Sequence, residues 1–155
     1  MTQVIPVKEQ MVLDGTFPTV KSPNPENPEG FYLAVDLAKE VGSDLILGTD
    51  PDSDRVGVMV RGADGEYHTI TGNQMGVLLL DYIITARRRK GTLPENAAAI
   101  STIVTSKMVR RICDVNDIHF DETFTGFKFM AEKLAEYQRD GSYQYVLAFE
   151  ESYGT

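Results

Sequence analysis

Between residues 44 and 60 the chain reads DLILGTDPDSDRVGVMV, in which two apolar runs flank a short acidic segment. Both flanks have the composition of buried strands, so the sequence predicts two strands joined by a turn at residues 50–55. This acidic turn carries the carboxylates of Asp50, Asp52 and Asp54. Closely spaced negative charges repel one another unless a cation neutralises them. The pattern therefore predicts a divalent-cation site, and ligation by oxygen alone favours Mg²⁺, Mn²⁺ or Ca²⁺ over zinc.

Other interpretations of the acidic turn can be weighed by position. An EF-hand loop needs glycine at position six and glutamate at position twelve. Counted from Asp50, those positions hold Arg55 and Arg61, which excludes an EF-hand. A solvated acidic turn would explain the charge but not the two apolar flanks. Two alternatives stay open: an aspartyl phosphatase or phosphotransferase with Asp50 as its nucleophile, and a non-catalytic module that a divalent cation stabilises.

Composition limits the class of protein. The 155 residues include 23 Asp and Glu against 15 Lys and Arg, a net charge of −8 that argues against nucleic acid or an anionic membrane as the main partner. The only cysteine, Cys113, cannot form an internal disulfide and is predicted to be buried in a helix. No signal-peptide pattern and no membrane-length apolar stretch are found, so we expect a soluble cytoplasmic protein.

The order of predicted elements indicates an α/β fold. A proline-rich loop at residues 17–29 leads into a helix that begins at Asn27-Pro28 and ends near Val41. Strands are predicted at residues 44–49, 55–61 and 67–70. After a helix that opens with Thr71 and Gln74 in a capping-box pattern, the chain alternates strands (97–105, 118–123, 145–149) with helices (106–116 and from 127). We place the domain boundary after residue 64, which gives units 1–64 and 65–155.

Residues 150–154, with the sequence EESYG, form a candidate binding segment that is called the C-terminal loop below. It follows a predicted strand, and in open α/β sheets the loops at the carboxyl ends of strands bind ligands. Because the chain stops within this loop, we expect it to be a piece of a longer protein. The basic run at residues 87–90 is interpreted as charge at the end of a helix rather than as a phosphate site. His68 and His119 are assigned no functional role.

Four segments of the sequence, taken together, resemble a known enzyme family. They are FPTVKSPNPE at 17–26, GTDPDSDR at 48–55, TGFK at 125–128 and EESYG at 150–154. In this order they are similar to the helix-preceding loop, the metal loop, the Thr-Gly-x-Lys loop and the sugar-recognition loop of the α-D-phosphohexomutases, the phosphoglucomutase and phosphomannomutase enzymes. The resemblance covers nearly the whole chain.

The resemblance implies three-layer α/β/α units with mixed sheets, drawn from an enzyme with four domains around one cleft. Residues 1–64 would be the second part of domain two, and residues 65–155 most of domain three. The whole enzyme would interconvert hexose 1-phosphate and hexose 6-phosphate, with glucose favoured, through a hexose bisphosphate. Its phosphoserine would lie in the remaining domains of the same enzyme. We therefore expect this chain to be inactive by itself.

The resemblance also implies roles for the residues of the acidic turn. Each of its three aspartates, Asp50, Asp52 and Asp54, would give an oxygen to Mg²⁺. Arg55 would be a fixed cation beside the transferred phosphate, since its planar donor group suits phosphate oxygens. The alternative for Arg55 is a salt bridge that only relieves the repulsion among the acids.

Two further pairs of residues would contact the substrate. Glu150 and Ser152 would bind sugar hydroxyls, because alternation in an extended segment places both side chains on one side and Glu151 on the other. Thr125 and Lys128 would bind a phosphate or sugar oxygen beside a helix N-terminus. The alternative for this second pair is a helix N-cap at Thr125 followed by a solvated lysine.

Overall fold

The computed structural model describes residues 3–154, which form two compact units that divide between Ile70 and Thr71. Each unit has its own sheet and its own buried core. Helices and strands are present in both units, which confirms the predicted α/β class. None of the helices among residues 3–154 combines the length and the apolar character that crossing a membrane requires.

The first unit is an antiparallel sheet with one α-helix packed on it. Two short 3₁₀ helices, Lys8–Gln10 and Pro28–Phe31, precede helix α1 at Tyr32–Val41, which ends at the left-handed Gly42. Strands β1 (Leu45–Thr49), β2 (Val56–Arg61) and β3 (Tyr67–Ile70) follow in that order across the sheet. The core of this unit lies between the helical segments and one face of the sheet. It consists of Phe31, Ala38, Ile46, Met59 and Tyr67.

Strand β1 is less buried than its apolar sequence predicts. Ile46 is buried, but Leu45 and Leu47 are 48% and 63% exposed. Successive side chains of a strand point to opposite faces, and α1 covers the face that carries Ile46. The expectation of two fully buried flanks is therefore wrong for β1. Thr49 pairs with Val56, so the acidic turn closes the β1–β2 hairpin as predicted.

Strand β3 lies in the first unit, whereas the sequence division after residue 64 places it in the second. It pairs with β2, with Ile70 opposite Val58. The buried Tyr67 also donates hydrogen bonds from its hydroxyl to the carbonyl oxygens of Ala38 and Ser43. These partners are distant in sequence, which is why the strand's membership could not be judged from its neighbours alone.

The second unit is a three-layer arrangement around a parallel sheet. Its elements are α2 (Gly72–Arg89), β4 (Ala97–Thr102), α3 (Met108–Val115), β5 (His119–Thr123), α4 (Phe127–Asp140) and β6 (Gln144–Phe149). The strand order is β5-β4-β6, with all pairs parallel. Helices α2 and α3 share a core with one side of the sheet, and α4 packs on the other side. Central β4 is buried along its whole length, as expected for a strand covered on both faces.

Several local predictions for the second unit are confirmed, and some boundaries differ. The Thr71–Gln74 capping box opens α2 with both reciprocal hydrogen bonds. Strand β4 ends at Thr102, three residues early, because the Thr105 N–H bonds to the Thr102 carbonyl and turns the chain. Cys113 is fully buried, and burial raises the pKa of its thiol to about 11.

Candidate functional site

The acidic turn brings its three carboxylates together. One oxygen each from Asp50, Asp52 and Asp54 lies within 4.8 Å of the others. Ser53 adopts a left-handed conformation with φ of 60°, and its N–H donates to the Asp50 carbonyl at 3.2 Å. This tight backbone turn folds the alternate side chains toward one point. Asp50 is buried at the end of β1, while Asp52 and Asp54 are exposed.

The carboxylates of the turn differ in their affinity for a proton. Burial opposes ionisation of Asp50, but hydrogen bonds from Arg55 and contacts with Asp54 and Asp52 outweigh it and lower the Asp50 pKa. The pKa of Asp54 is raised, chiefly by its hydrogen bond with Asp50, and also by the negative charge of Asp52. The cluster is thus anionic and self-repelling. Converging hard oxygen donors with a net negative charge fit a small divalent cation.

Arg55 is held against the buried acid of the turn. Its backbone N–H donates to Asp50 Oδ1 at 3.1 Å, and its Nε donates to Asp50 Oδ2 at 3.0 Å. The guanidinium also lies 3.7 Å from a carboxylate oxygen of Glu26 and 3.8 Å from one of Asp54. The salt bridge weighed in the sequence analysis is therefore present. It fixes a positive charge beside the acids, and the side chain is still 35% exposed.

A cleft of about 470 Å³ opens beside the acidic turn. Residues of the turn line one side, and Ser22, Pro23 and Asn24 of the proline-rich loop line the other. The Asn24 side chain shapes that loop by accepting a hydrogen bond from the Glu26 N–H at 2.9 Å. Sequence reasoning linked this loop to the family but gave it no place at the site. Besides its prolines, the Asn-x-Glu pattern at residues 24–26 is a local signal for the turn in this loop.

The C-terminal loop places Glu150 and Ser152 side by side. Glu150 is buried, and its Oε1 accepts a hydrogen bond from the Gly126 N–H at 2.5 Å. Its Oε2 accepts from the Ser152 hydroxyl at 3.2 Å. Glu151 takes the opposite direction, toward Thr102 and Thr105. Glu150 and Ser152 thus lie together with Glu151 apart from them, as predicted, but a turn at residues 151–153 rather than an extended segment produces this arrangement.

The segment at 125–128 approaches the C-terminal loop through its backbone. Gly126, with φ of 121°, is the N-cap of α4, and because it has no side chain it cannot form a side-chain capping hydrogen bond. Thr125 is thus not the N-cap that the alternative interpretation predicts; it lies exposed one residue earlier. Lys128 projects from the helix, 78% exposed, with Nζ 3.9 Å from a carboxylate oxygen of Glu132. The structure brings Gly126, rather than Lys128, to Glu150.

Neither histidine lies in a cluster suited to a metal among the described residues. His68 pairs with Asp64 at 3.0 Å on the surface. His119 stacks on Tyr143 with ring centroids 3.9 Å apart. Both arrangements fit the structural role expected for them.

Comparison with family models assigns both units. Residues 1–65 match the model described as phosphoglucomutase/phosphomannomutase, alpha/beta/alpha domain II, and residues 71–155 match that of domain III. The phosphoglucomutase of Staphylococcus aureus (strain USA300) is 38% identical over 148 residues, which cover 96% of this chain and 26% of that protein. The chain thus spans about a quarter of the length of the curated relatives it matches.

Solved structures show the same fold. A phosphoglucomutase/phosphomannomutase family protein from Burkholderia thailandensis superposes with a TM-score of 0.66 at 21% identity, over 90% of this chain and 27% of its own. The N-acetylphosphoglucosamine mutase of Aspergillus fumigatus, solved in complex with GlcNAc-6P and magnesium, gives 0.54 at 16% identity, over 77% of this chain and 24% of its own. With nearly every residue matched by two consecutive domain models, the chain belongs to the phosphoglucomutase/phosphomannomutase family and carries its domains II and III.

Proposed function

We propose that this chain supplies the metal loop and the sugar-contacting loop of a phosphohexomutase, which interconverts hexose 1-phosphate and hexose 6-phosphate. The observation that carries the proposal is the convergence of Asp50, Asp52 and Asp54 to within 4.8 Å in a chain of this family. The 38% identity to a phosphoglucomutase favours glucose as the sugar. A hexose bisphosphate and the remaining domains of the enzyme are the expected partners.

In this proposal the acidic turn holds Mg²⁺. Asp50 is fixed by Arg55, and the exposed Asp52 and Asp54 complete a set of oxygen donors beside the cleft. A magnesium complex of the A. fumigatus relative supports this choice of metal. When bound, the ion would spread the negative charge of the phosphoryl group during transfer. Arg55 would add a positive charge on the phosphate side, because two hydrogen bonds to Asp50 hold it in place while its side chain stays 35% exposed.

The C-terminal loop would orient the sugar. Glu150 accepts hydrogen bonds from Gly126 and Ser152 and has further lone pairs for sugar hydroxyls. The Ser152 hydroxyl can accept from one sugar hydroxyl while it donates to Glu150. Roles for Thr125 and Lys128 in substrate binding stay predictions. For Lys128 the role would require its ammonium to leave the weak, exposed pair with Glu132.

The geometry of Asp50 weighs against the aspartyl phosphatase alternative. Both of its carboxylate oxygens accept hydrogen bonds from Arg55. An oxygen that is buried and bonded in this way is a poor nucleophile. The phosphoryl carrier of the proposed enzyme is a serine outside this chain, so the 155-residue chain is expected to be inactive by itself.

The proposal is tested by assaying glucose 1-phosphate and mannose 1-phosphate turnover with Mg²⁺, using a protein that contains this chain and the family's other domains. Asp52→Asn removes one charge from an exposed position and is expected to lower kcat/KM on the order of 100-fold. Glu40→Gln, an exposed acid on α1, is the matched control and should leave activity unchanged. Absence of mutase activity with both sugars would overturn the proposal. Turnover by the 155-residue chain alone would overturn the expectation that this chain is inactive by itself.

A further inference from the structure

Glu151 makes contacts that differ in kind from those of its neighbours in the C-terminal loop. Its Oε2 accepts hydrogen bonds from the hydroxyls of Thr102 at 2.9 Å and Thr105 at 3.1 Å. The two hydroxyl oxygens are themselves 2.8 Å apart. Thr102 and Thr105 are 1% and 5% exposed, so this carboxylate is held by hydroxyls that water scarcely reaches. Hydrogen bonds to a charged group in such surroundings are stronger than surface contacts.

The two threonines stand on a rigid support. Thr102 is the last residue of β4, the fully buried central strand of the parallel sheet. Thr105 is tied back to it by a backbone hydrogen bond of 3.0 Å from its N–H to the Thr102 carbonyl. The hydroxyls therefore have a fixed position relative to the sheet. A carboxylate bound to both is a fixed point for the loop that carries it.

The main chain of the loop is confined on its other side by α2. A side chain at Gly72, the first residue of that helix, would place its Cβ 2.0 Å from the Glu151 carbonyl oxygen. Only glycine allows this close approach. In addition, the Ser101 hydroxyl donates to the Phe149 carbonyl at 2.9 Å, and the Glu150 N–H donates to the Gly154 carbonyl at 2.8 Å. The loop is thus fixed from several directions, and the Glu151 carboxylate ties it by its side chain to Thr102 of β4.

We propose that Glu151 is a positioning residue that locks the C-terminal loop, so that Glu150 and Ser152 face the sugar together before it binds. This inference rests on the proposed function for the assignment of Glu150 and Ser152 to sugar contact. Without the Glu151 carboxylate, the side of the loop that faces β4 would have to become ordered on binding, and that cost would weaken binding of the sugar phosphate. The expected consequence is a higher KM for hexose phosphate, with a smaller change in kcat.

The threonine that holds Glu151 allows a matched pair of variants. Thr102→Val removes the hydroxyl with little change in shape, whereas Thr102→Ser keeps it. In the multidomain protein, Thr102→Val and Glu151→Ala should each raise KM for glucose 1-phosphate about tenfold. Thr102→Ser should restore a KM close to that of the unaltered protein. Glu95→Gln, an exposed acid of the same unit, is the control and should have no effect.

A second readout does not depend on activity. In ¹H–¹⁵N spectra of the 155-residue chain, Thr102→Val and Glu151→Ala should shift or broaden the amides of Gly126, Glu150 and Ser152, and Thr102→Ser should not. A lower melting temperature with KM and these amides unchanged would mean a merely structural contact and would overturn the proposal. Glu150→Ala distinguishes failure of the proposed function from failure of this inference. If Glu150→Ala leaves KM unchanged, the proposed sugar contact of the loop fails. The amide signals of the Thr102 and Glu151 variants still decide whether Glu151 positions the loop.

Discussion

The two candidate binding loops of this chain are stabilised in opposite ways. The acidic turn is held by its own residues, since Arg55 bonds to Asp50 five positions away. The C-terminal loop is held by Gly126, Thr105 and Thr102, which lie 24, 46 and 49 positions away from their partners. A local turn keeps its shape wherever its hairpin forms, whereas the C-terminal loop requires the second unit to be fully folded. The difference indicates that a substitution in the core of the second unit should disturb the C-terminal loop and leave the acidic turn unchanged.

The largest effect is expected from Gly76→Ala in α2. The added Cβ would lie 1.9 Å from the ring of Phe149, a fully buried residue that directly precedes the C-terminal loop. Alanine normally stabilises a helix by about 0.5–1 kcal/mol relative to glycine. Here overpacking should instead lower the free energy of unfolding by about 1–3 kcal/mol, measured by urea denaturation. Amides of residues 150–154 should shift, while those of the acidic turn keep their positions.

The control for this variant is Leu78→Ala in the same helix. Leu78 is 58% exposed, so its truncation should change the free energy of unfolding by less than about 0.5 kcal/mol. A gain in stability for Gly76→Ala, as helix propensity alone predicts, would show that Phe149 does not pack as described.

A smaller effect is expected from Arg55→Ala in the acidic turn. Loss of the Nε bond leaves the buried Asp50 carboxylate less satisfied, at a cost of about 1 kcal/mol at pH 7. Because the pKa of Asp50 is lowered in the folded state, its contribution exists above the unfolded value of 3.8 and is lost as pH falls through the folded value. The difference in unfolding free energy between Arg55→Ala and the unaltered chain should therefore shrink below pH 4. If the difference in unfolding free energy stays constant with pH, the bond between Arg55 and Asp50 is not the source of the lost stability.

Much of the acidic turn could be predicted from the sequence because its determinants are neighbours. Two apolar flanks, alternate acids and an adjacent arginine specify the hairpin and its chemistry within a short window. The Thr71–Gln74 capping box is local in the same sense, and it is confirmed. Only the exposure of β1 differs, since the face covered by α1 depends on tertiary packing.

The features that sequence reasoning missed depend on distant partners. Tyr67 joins β3 to the first unit through carbonyls 29 and 24 positions away. The sequence places Glu151 on the side opposite Glu150 and Ser152, and nothing near it in the sequence indicates its bonds to Thr102 and Thr105. Gly126 could be read as a loop glycine but not as the donor to Glu150. Each of these contacts is created by the way the sheet assembles.

The most direct measurement is a Mg²⁺ titration of the 155-residue chain followed by amide ¹H–¹⁵N spectra at constant ionic strength. If the acidic turn is the cation site, saturable shifts should concentrate at residues 50–55. They should disappear in Asp52→Asn, where an exposed ligand is lost without disturbing the buried Asp50, and persist in Glu40→Gln. Equal responses of Asp52→Asn and the unaltered chain, or shifts spread evenly over all acidic residues, would contradict the assignment.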